Sequence, residues 1–210
     1  MVRLPLVTVV IALFTSALTL LPQFHSELYF DWSALTHGQY LGLISGHFVH
    51  ADLTHFTWNV IGLGVIGSFI ELYSRRLLLA SLAIGIISVD LLLISPLCNI
   101  STYCGLSGVL NSLLVTALGI LWHQTRSPWV IVTTVLCITK ILVEVLINNS
   151  LFTHIAWPAY APSHLAGAVG GALIVWALDR KKITSVMYNY DASTVEKNDT
   201  HSSFNMYKRP

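Results

Sequence analysis

The chain has 210 residues, of which 54% are hydrophobic and only 10% are charged, and its mean hydropathy is +0.69. Soluble domains carry about 25% charged residues, so this composition predicts a protein that crosses a membrane several times. The formal net charge is +1 and no basic patch is large enough to follow phosphates, which argues against nucleic-acid binding.

Six apolar runs approach the length of a membrane span, because a transmembrane helix needs about 20 residues. In chain order they are 4–21, 54–73, 76–95, 105–122, 128–147 and 163–179. The first run resembles a signal peptide, but it is too long for the usual apolar segment and no clear small-residue cleavage site follows it. We therefore expect a retained helix and an all-α, six-helix membrane bundle.

Basic residues predict the orientation of these helices, because cytoplasmic loops carry an excess of Lys and Arg. They occur at the N-terminus and after the second, fourth and sixth runs, as Arg3, Arg75-Arg76, Arg126 and Arg180-Lys181-Lys182. The intervening loops, 22–53, 96–104 and 148–162, contain neither Lys nor Arg. Both termini are therefore expected in the cytoplasm.

The expected organisation is one membrane domain, residues 1–182, followed by a polar cytoplasmic tail, residues 183–210. The tail loses the apolar pattern and gains Ser, Thr, Asn, Asp and Lys, which is typical of a mobile terminus. The loop 22–53 mixes aromatic with polar residues, which favours a segment lying at the membrane interface.

A serine and a histidine each occur where a polar loop runs into an apolar helix. Ser107 lies in Gly105-Leu106-Ser107-Gly108, and 57 residues later His164 lies in Ser163-His164-Leu165-Ala166-Gly167. A polar side chain at membrane depth is costly and is usually functional. The two residues therefore predict a nucleophile, Ser107, and a general base, His164.

The second helix contributes two more polar side chains on the same predicted side of the membrane. His55 and Asn59 are four residues apart, so they share one helix face. Together with the backbone N–H of Ser107, their side chains can donate hydrogen bonds to a developing oxyanion. The predicted orientation brings these groups and His164 into the outer half of the membrane.

Small residues predict a close crossing between the serine and histidine helices. Gly167 and Gly171 share the face of His164, and Gly108 with Ser112 begins a similar stripe beside Ser107. Small side chains allow two helix backbones to approach closely in a membrane.

The sequence offers no carboxylate that is obviously aimed at His164, so a Ser–His dyad is favoured over a triad. Asp90 is expected in the outer half of the third helix, with nothing that links it to His164. Lys140 and Glu144 are four residues apart on the fifth helix, which favours an intrahelical ion pair over a role in substrate binding.

Cys98 and Cys104 share the short external loop before Ser107. In an oxidising compartment they can form a disulfide, and two free thiols are the alternative. His47, His50 and His55 are candidate metal ligands, but their spacing matches no firm zinc pattern and no acidic or thiolate partner stands beside them. We expect neither a metal nor a cofactor.

These residues resemble the rhomboid family of intramembrane serine proteases over about residues 38–180. Gly105-Leu106-Ser107-Gly108 is similar to the family's Gly-x-Ser-Gly motif, and His164 with Gly167 is similar to its sixth-helix histidine motif. His55-x-x-x-Asn59 resembles the second-helix pair.

Further positions refine the resemblance. His47-Phe48-Val49-His50 and Glu71 match family positions, and Tyr103–Leu110 is most similar to the rhombosortase branch. Two positions depart from the family pattern. Leu41-Gly42 stands where a Trp-Arg pair is typical, and Asn111 stands where many members have a tyrosine that stacks on the histidine.

The resemblance implies an endopeptidase that cuts single-span membrane proteins near the external face, in a bacterial inner membrane with its site toward the periplasm. The rhombosortase branch is linked to C-terminal anchors with a Gly-Gly motif, a hydrophobic helix and a basic end. A catalytically silent rhomboid-like protein that binds membrane clients is disfavoured, because Ser107 and His164 are both present. A transporter is disfavoured because no internal repeat is visible.

Overall fold

The computed structural model describes residues 4–19, 25–147, 151 and 160–178, which are mostly helical. The helices are α1 (Leu6–Thr19), α2 (His25–Leu28), α3 (Trp32–Thr36), α4 (Leu41–Ser45), α5 (Leu53–Gly62), α6 (Ser68–Tyr73), α7 (Arg75–Leu93), α8 (Ser107–Thr125), α9 (Pro128–Ile147) and α10 (Ala161–Ala177). A π-helical segment, Leu63–Gly67, joins α5 to α6 without a break. Two short strands, β1 (Phe30–Asp31) and β2 (Thr102–Tyr103), pair antiparallel.

Three helical stretches among the described residues are long and apolar enough to cross a membrane. They are Leu53–Tyr73, Arg75–Leu93 and Pro128–Ile147, while α1 and α10 are shorter apolar helices. Their outer faces carry bare apolar side chains such as Leu146, which is 83% exposed and suits contact with lipid. The expected multi-pass membrane protein is confirmed, whereas six full crossings stay a prediction.

The chain divides into two compact units, Met1–Val175 and Trp176–Pro210. All the residues of the candidate site described below belong to the first unit. The predicted tail, 183–210, lies outside the described residues, as do Arg3 and Arg180-Lys181-Lys182. The boundary at residue 182 and the cytoplasmic location of both termini therefore stay predictions.

Helix α8 lies at the centre of the first unit and packs against α5, the π-helical segment, α6, α7 and α9. Small residues make this central position possible. A Cβ on Gly85 of α7 would lie only 2.9 Å from the side chain of Ser112 on α8, so the two helices approach as closely as glycine allows. The nucleophile candidate thus begins a helix that packs against five other helical segments.

Buried hydroxyl groups fasten α7 to α8. Ser112 Oγ donates to the carbonyl oxygen of Ser81 at 3.0 Å, and Ser81 Oγ donates to Thr116 Oγ1 at 3.1 Å. Thr116 Oγ1 in turn donates to the carbonyl oxygen of Ser112 at 2.9 Å. Because no water reaches such a site in a bilayer, each hydroxyl needs a partner inside the protein, and these three have one.

Glu71 at the end of α6 holds the first turn of α1. Its carboxylate accepts hydrogen bonds from the backbone N–H groups of Val7 and Thr8, at 2.9 and 2.8 Å, and from Thr8 Oγ1 at 2.9 Å. Arg75 Nε donates to the same group at 3.2 Å. A carboxylate at a helix N-terminus satisfies unpaired N–H groups and interacts favourably with the helix dipole.

Backbone contacts join the first long loop to the loop that leads into α8. Phe30 of β1 is paired with Tyr103 of β2, and the Gly105 N–H donates to the carbonyl oxygen of Gly46 at 2.8 Å. Phe30 is fully buried, so part of the loop 22–53 belongs to the core. The predicted position of this loop at the membrane interface stays untested.

Candidate active site

Gly105 shapes the turn that leads into α8. Its φ of +112° is one that residues with a side chain rarely adopt, and a Cβ here would overlap the ring of His55. The Tyr103 hydroxyl donates to the Gly105 carbonyl oxygen at 3.0 Å. Burial raises the pKa of Tyr103 well above its usual value, so the hydroxyl keeps the proton that it donates. The turn is therefore fixed by the His55 ring that packs against Gly105 and by the hydrogen bond from Tyr103.

Ser107 is the first residue of α8, as the sequence predicts. Helix α8 has no side-chain cap at its N-terminus, so the unpaired N–H groups of its first turn lie beside the serine. These groups carry the positive end of the helix dipole. The hydroxyl of Ser107 therefore lies where a developing negative charge would be stabilised.

His164 lies in the first turn of α10 and is 6% exposed. Its Nε2 atom is 3.0 Å from the Oγ atom of Ser107, which is hydrogen-bonding distance. The residues that the sequence predicts as nucleophile and base, 57 positions apart, therefore touch each other. Such contact is the geometric requirement for proton transfer from a serine to a base.

The predicted close crossing between α8 and α10 is confirmed. A Cβ on Gly167 would overlap the carbonyl oxygen of Gly108, and a Cβ on Gly171 would lie 2.5 Å from the carbonyl oxygen of Ser112. Backbone therefore packs directly on backbone along one face of α10. This crossing explains how His164 reaches Ser107, because Gly167 is one turn after the histidine and Gly108 directly follows the serine.

A carboxylate does contact His164, so the expectation that none is placed to orient it is wrong. Glu144 Oε2 on α9 lies 3.0 Å from Nδ1 of His164, the ring nitrogen that faces away from Ser107. Glu144 is completely buried. The structure therefore contains a row of three groups, Ser107, His164 and Glu144, in place of the predicted pair.

The predicted intrahelical ion pair also forms, since Lys140 Nζ lies 2.7 Å from Glu144 Oε2. From the sequence, Lys140 alone accounts for a carboxylate at position 144, so the second partner, His164, was not predicted. A fully buried carboxylate in a membrane helix is nevertheless unusual enough to indicate function. Asp90, the other acidic candidate, lies 3.0 Å from Nε2 of His47.

His55 and Asn59 lie on α5 as predicted. The ring of His55 packs against Gly105, two residues before Ser107. Asn59 is 4% exposed, and its Nδ2 atom has no hydrogen-bond partner among the described residues. A buried amide without an acceptor costs free energy, about 1–3 kcal/mol, unless a ligand supplies the acceptor.

Asn111 takes part in the helix and does not stack on His164. Its Nδ2 atom donates to the carbonyl oxygen of Ser107 at 2.9 Å, one turn back along α8. At the position where the resemblance implies a stacking tyrosine, this chain therefore has a side chain that makes a hydrogen bond within the helix. The ring of His164 is held from its Nδ1 side by Glu144 instead.

The predicted disulfide between Cys98 and Cys104 is not present, and both are free cysteines. Cys98 Sγ donates to the carbonyl oxygen of Ile100 at 3.5 Å, and Cys104 is buried. Burial raises the pKa of the Cys104 thiol to about 12. Because a thiolate is the species that forms disulfides, this thiol is poorly suited to pairing.

The three histidines considered as metal ligands have other neighbours. His47 contacts Asp90, and the ring of His50 lies 5.0 Å from that of His55 in an edge-to-face arrangement. Within the part of the chain that the structure describes, no group of three or more metal-ligating side chains comes together.

A comparison with protein-family models agrees with this architecture. No curated protein matches the chain. A family model, the Rhomboid domain, matches residues 37–181, which include all the helices that carry Ser107, Glu144 and His164. Members of this family are generally intramembrane serine proteases, and the chain belongs to the rhomboid family.

Proposed function

We propose that the protein is an intramembrane serine endopeptidase in which Ser107 is the nucleophile and His164 the general base. The contact of 3.0 Å between Ser107 Oγ and His164 Nε2 carries this proposal. A serine hydroxyl is a weak nucleophile until a neighbouring base removes its proton. Membership of the rhomboid family supports the same function.

The reaction follows from this contact. Ser107 Oγ attacks the carbonyl carbon of the scissile peptide bond while His164 Nε2 takes the hydroxyl proton. The tetrahedral intermediate then breaks its C–N bond, and His164 returns the proton to the departing amine. Water attacks the resulting acyl-enzyme ester, with His164 again accepting and returning a proton, and frees Ser107 and the new carboxyl end.

The oxyanion of the tetrahedral intermediate has three candidate donors. The Ser107 N–H lies at the N-terminus of α8, the ring of His55 packs against Gly105, and the amide of Asn59 is buried without an acceptor. Such donors stabilise charge that exists only in the transition state, so they accelerate the reaction more than they strengthen binding.

Asn59→Ala and His55→Ala should therefore lower kcat more than they raise KM. One oxyanion donor is worth about 10²–10³-fold in rate, and each single variant should lose less because the other donor remains. Steady-state kinetics of both single variants and of the double variant measure the effect. An unchanged kcat in the double variant would show that neither side chain donates a hydrogen bond to the oxyanion.

The substrates that fit this site are single-span membrane proteins. A regular helix hides its carbonyl groups in hydrogen bonds, so the cleaved segment must enter sideways and unwind locally. Glycine has low helix propensity and no side chain, which makes it the easiest residue at which to unwind. We propose C-terminal anchors with a Gly-Gly motif and a basic cytoplasmic end, cut near the external face of a bacterial inner membrane.

Purified protein incubated with such a substrate tests the function, with mass spectrometry of the product ends. Cleavage is expected at or beside the Gly-Gly motif, and replacing that motif with Leu-Leu should stop it. An equally fast cut in the Leu-Leu substrate contradicts the specificity while leaving the protease assignment intact. Binding of the substrate without any cleavage would instead favour a non-catalytic, client-binding protein.

A further inference from the structure

We propose that Glu144 is a positioning residue that fixes the protonated nitrogen and the ring orientation of His164. The inference rests on the proposed function, because it concerns how the base is prepared for Ser107. Glu144 lies on α9, 20 residues before His164, and its Oε2 atom is 3.0 Å from His164 Nδ1. It therefore acts on the reaction only through the histidine.

The contacts of Glu144 define which way its hydrogen bonds run. Oε2 also faces Lys140 Nζ at 2.7 Å, and Oε1 accepts a hydrogen bond from the backbone N–H of Leu151 at 3.1 Å. Both of these partners are donors. The arrangement is that of an ionised carboxylate, which accepts hydrogen bonds and has no proton to donate.

This direction determines the state of the His164 ring. Because the carboxylate only accepts, the proton of the neutral imidazole lies on Nδ1 and is donated to Glu144. Nε2 then has a free lone pair, which points at Ser107 Oγ at 3.0 Å. The opposite tautomer would direct an N–H at the serine and could not accept its proton.

Lys140 lowers the free-energy cost of burying the Glu144 carboxylate in an apolar helix. An isolated charge is costly at membrane depth, and a paired charge much less so. The Lys140 side chain is 32% exposed, whereas the Glu144 side chain is completely buried. The pair thus places a carboxylate oxygen of Glu144 beside Nδ1 of His164, while the charge of Lys140 balances that of the carboxylate.

A purely structural role for Glu144 is the competing explanation. On that view the carboxylate serves only to neutralise Lys140, and removing both charges together should be harmless. The two explanations therefore differ in what happens when Lys140 and Glu144 are replaced at the same time by uncharged side chains of similar size.

The test compares Glu144→Gln, Lys140→Met and the double variant in the purified full-length protein. We expect Glu144→Gln to lower kcat by about 10²–10⁴-fold with little change in KM, since the amide can support the wrong tautomer. Its Tm should also fall, because Lys140 loses its counter-charge. The double variant should recover Tm and keep the low kcat. Wild-type kcat in the double variant would overturn the proposal.

Two further measurements separate this inference from the proposed function. The rate at which a fluorophosphonate labels Ser107 reports its activation by His164 without any peptide substrate, and it should fall in the double variant as kcat does. In a His164→Ala background, Glu144→Gln should change the labelling rate no further, because it acts through the histidine. If the variant that combines Lys140→Met with Glu144→Gln is labelled at the wild-type rate, Glu144 does not position His164. Cleavage by Ser107→Ala contradicts the proposed function instead.

Discussion

Ser107→Ala is expected to abolish peptide-bond cleavage while leaving the fold intact. The change removes one oxygen atom, whose contact with His164 Nε2 is the step at which the nucleophile is activated. His164→Ala should have the same effect. Because the two groups act as one unit, the loss in kcat should be about 10⁶-fold for either variant and no larger for the double variant.

Ser112→Ala is the matched control for this experiment. Ser112 lies on the same helix, but its hydroxyl donates to the Ser81 carbonyl oxygen and does not contact His164. The control should lose about 1 kcal/mol of stability, as for a typical buried hydrogen bond, and cleave at close to the wild-type rate. Cleavage of an anchored substrate by Ser107→Ala, read as product ends in a mass spectrum, would contradict the mechanism.

The helix starts and the first two members of the site could be predicted from local sequence. Gly105 and Gly108 flank Ser107 at the beginning of an apolar run, and α8 does begin at Ser107. The spacing of Gly167 and Gly171 predicted the face on which α10 approaches α8, and both glycines lie against α8 backbone. These features depend on helix periodicity, which a sequence displays directly.

The contact between Glu144 and His164 could not be predicted in the same way. It depends on the rotation of α9 about its axis and on its height beside α10, which no local pattern encodes. Lys140, one turn before Glu144, already supplied a sufficient reason for a charge in that helix. The pairing of Asp90 with His47 escaped prediction for the same reason, since 43 residues separate them.

The sequence could not decide between a disulfide and two free thiols, because the spacing of Cys98 and Cys104 does not fix the distance between their sulfur atoms. Cys98 and Cys104 are six residues apart, and β2 (Thr102–Tyr103) lies between them. Disulfide formation needs a narrow range of Cβ separations and directions. Here Cys98 contacts the Ile100 carbonyl oxygen, and Cys104 is buried as a thiol.

Gly167→Ala is expected to damage both stability and cleavage, although Gly167 contacts no substrate. The added Cβ would overlap the carbonyl oxygen of Gly108. A backbone carbonyl in a helix cannot rotate away as a side chain can, so α8 and α10 must separate. Overpacking of this kind costs about 1–3 kcal/mol of stability.

The separation should lengthen the contact between Ser107 and His164, because each lies within one helical turn of the point of overlap. A misplacement of about 1 Å can lower the rate of an enzyme by about 10²-fold, and we expect at least that loss in kcat. Gly64→Ala is the control, since a Cβ there meets nothing within 4 Å. It should leave Tm and kcat unchanged, whereas a Gly167→Ala protein with wild-type Tm and kcat would disprove the tight crossing as the means by which the histidine reaches the serine.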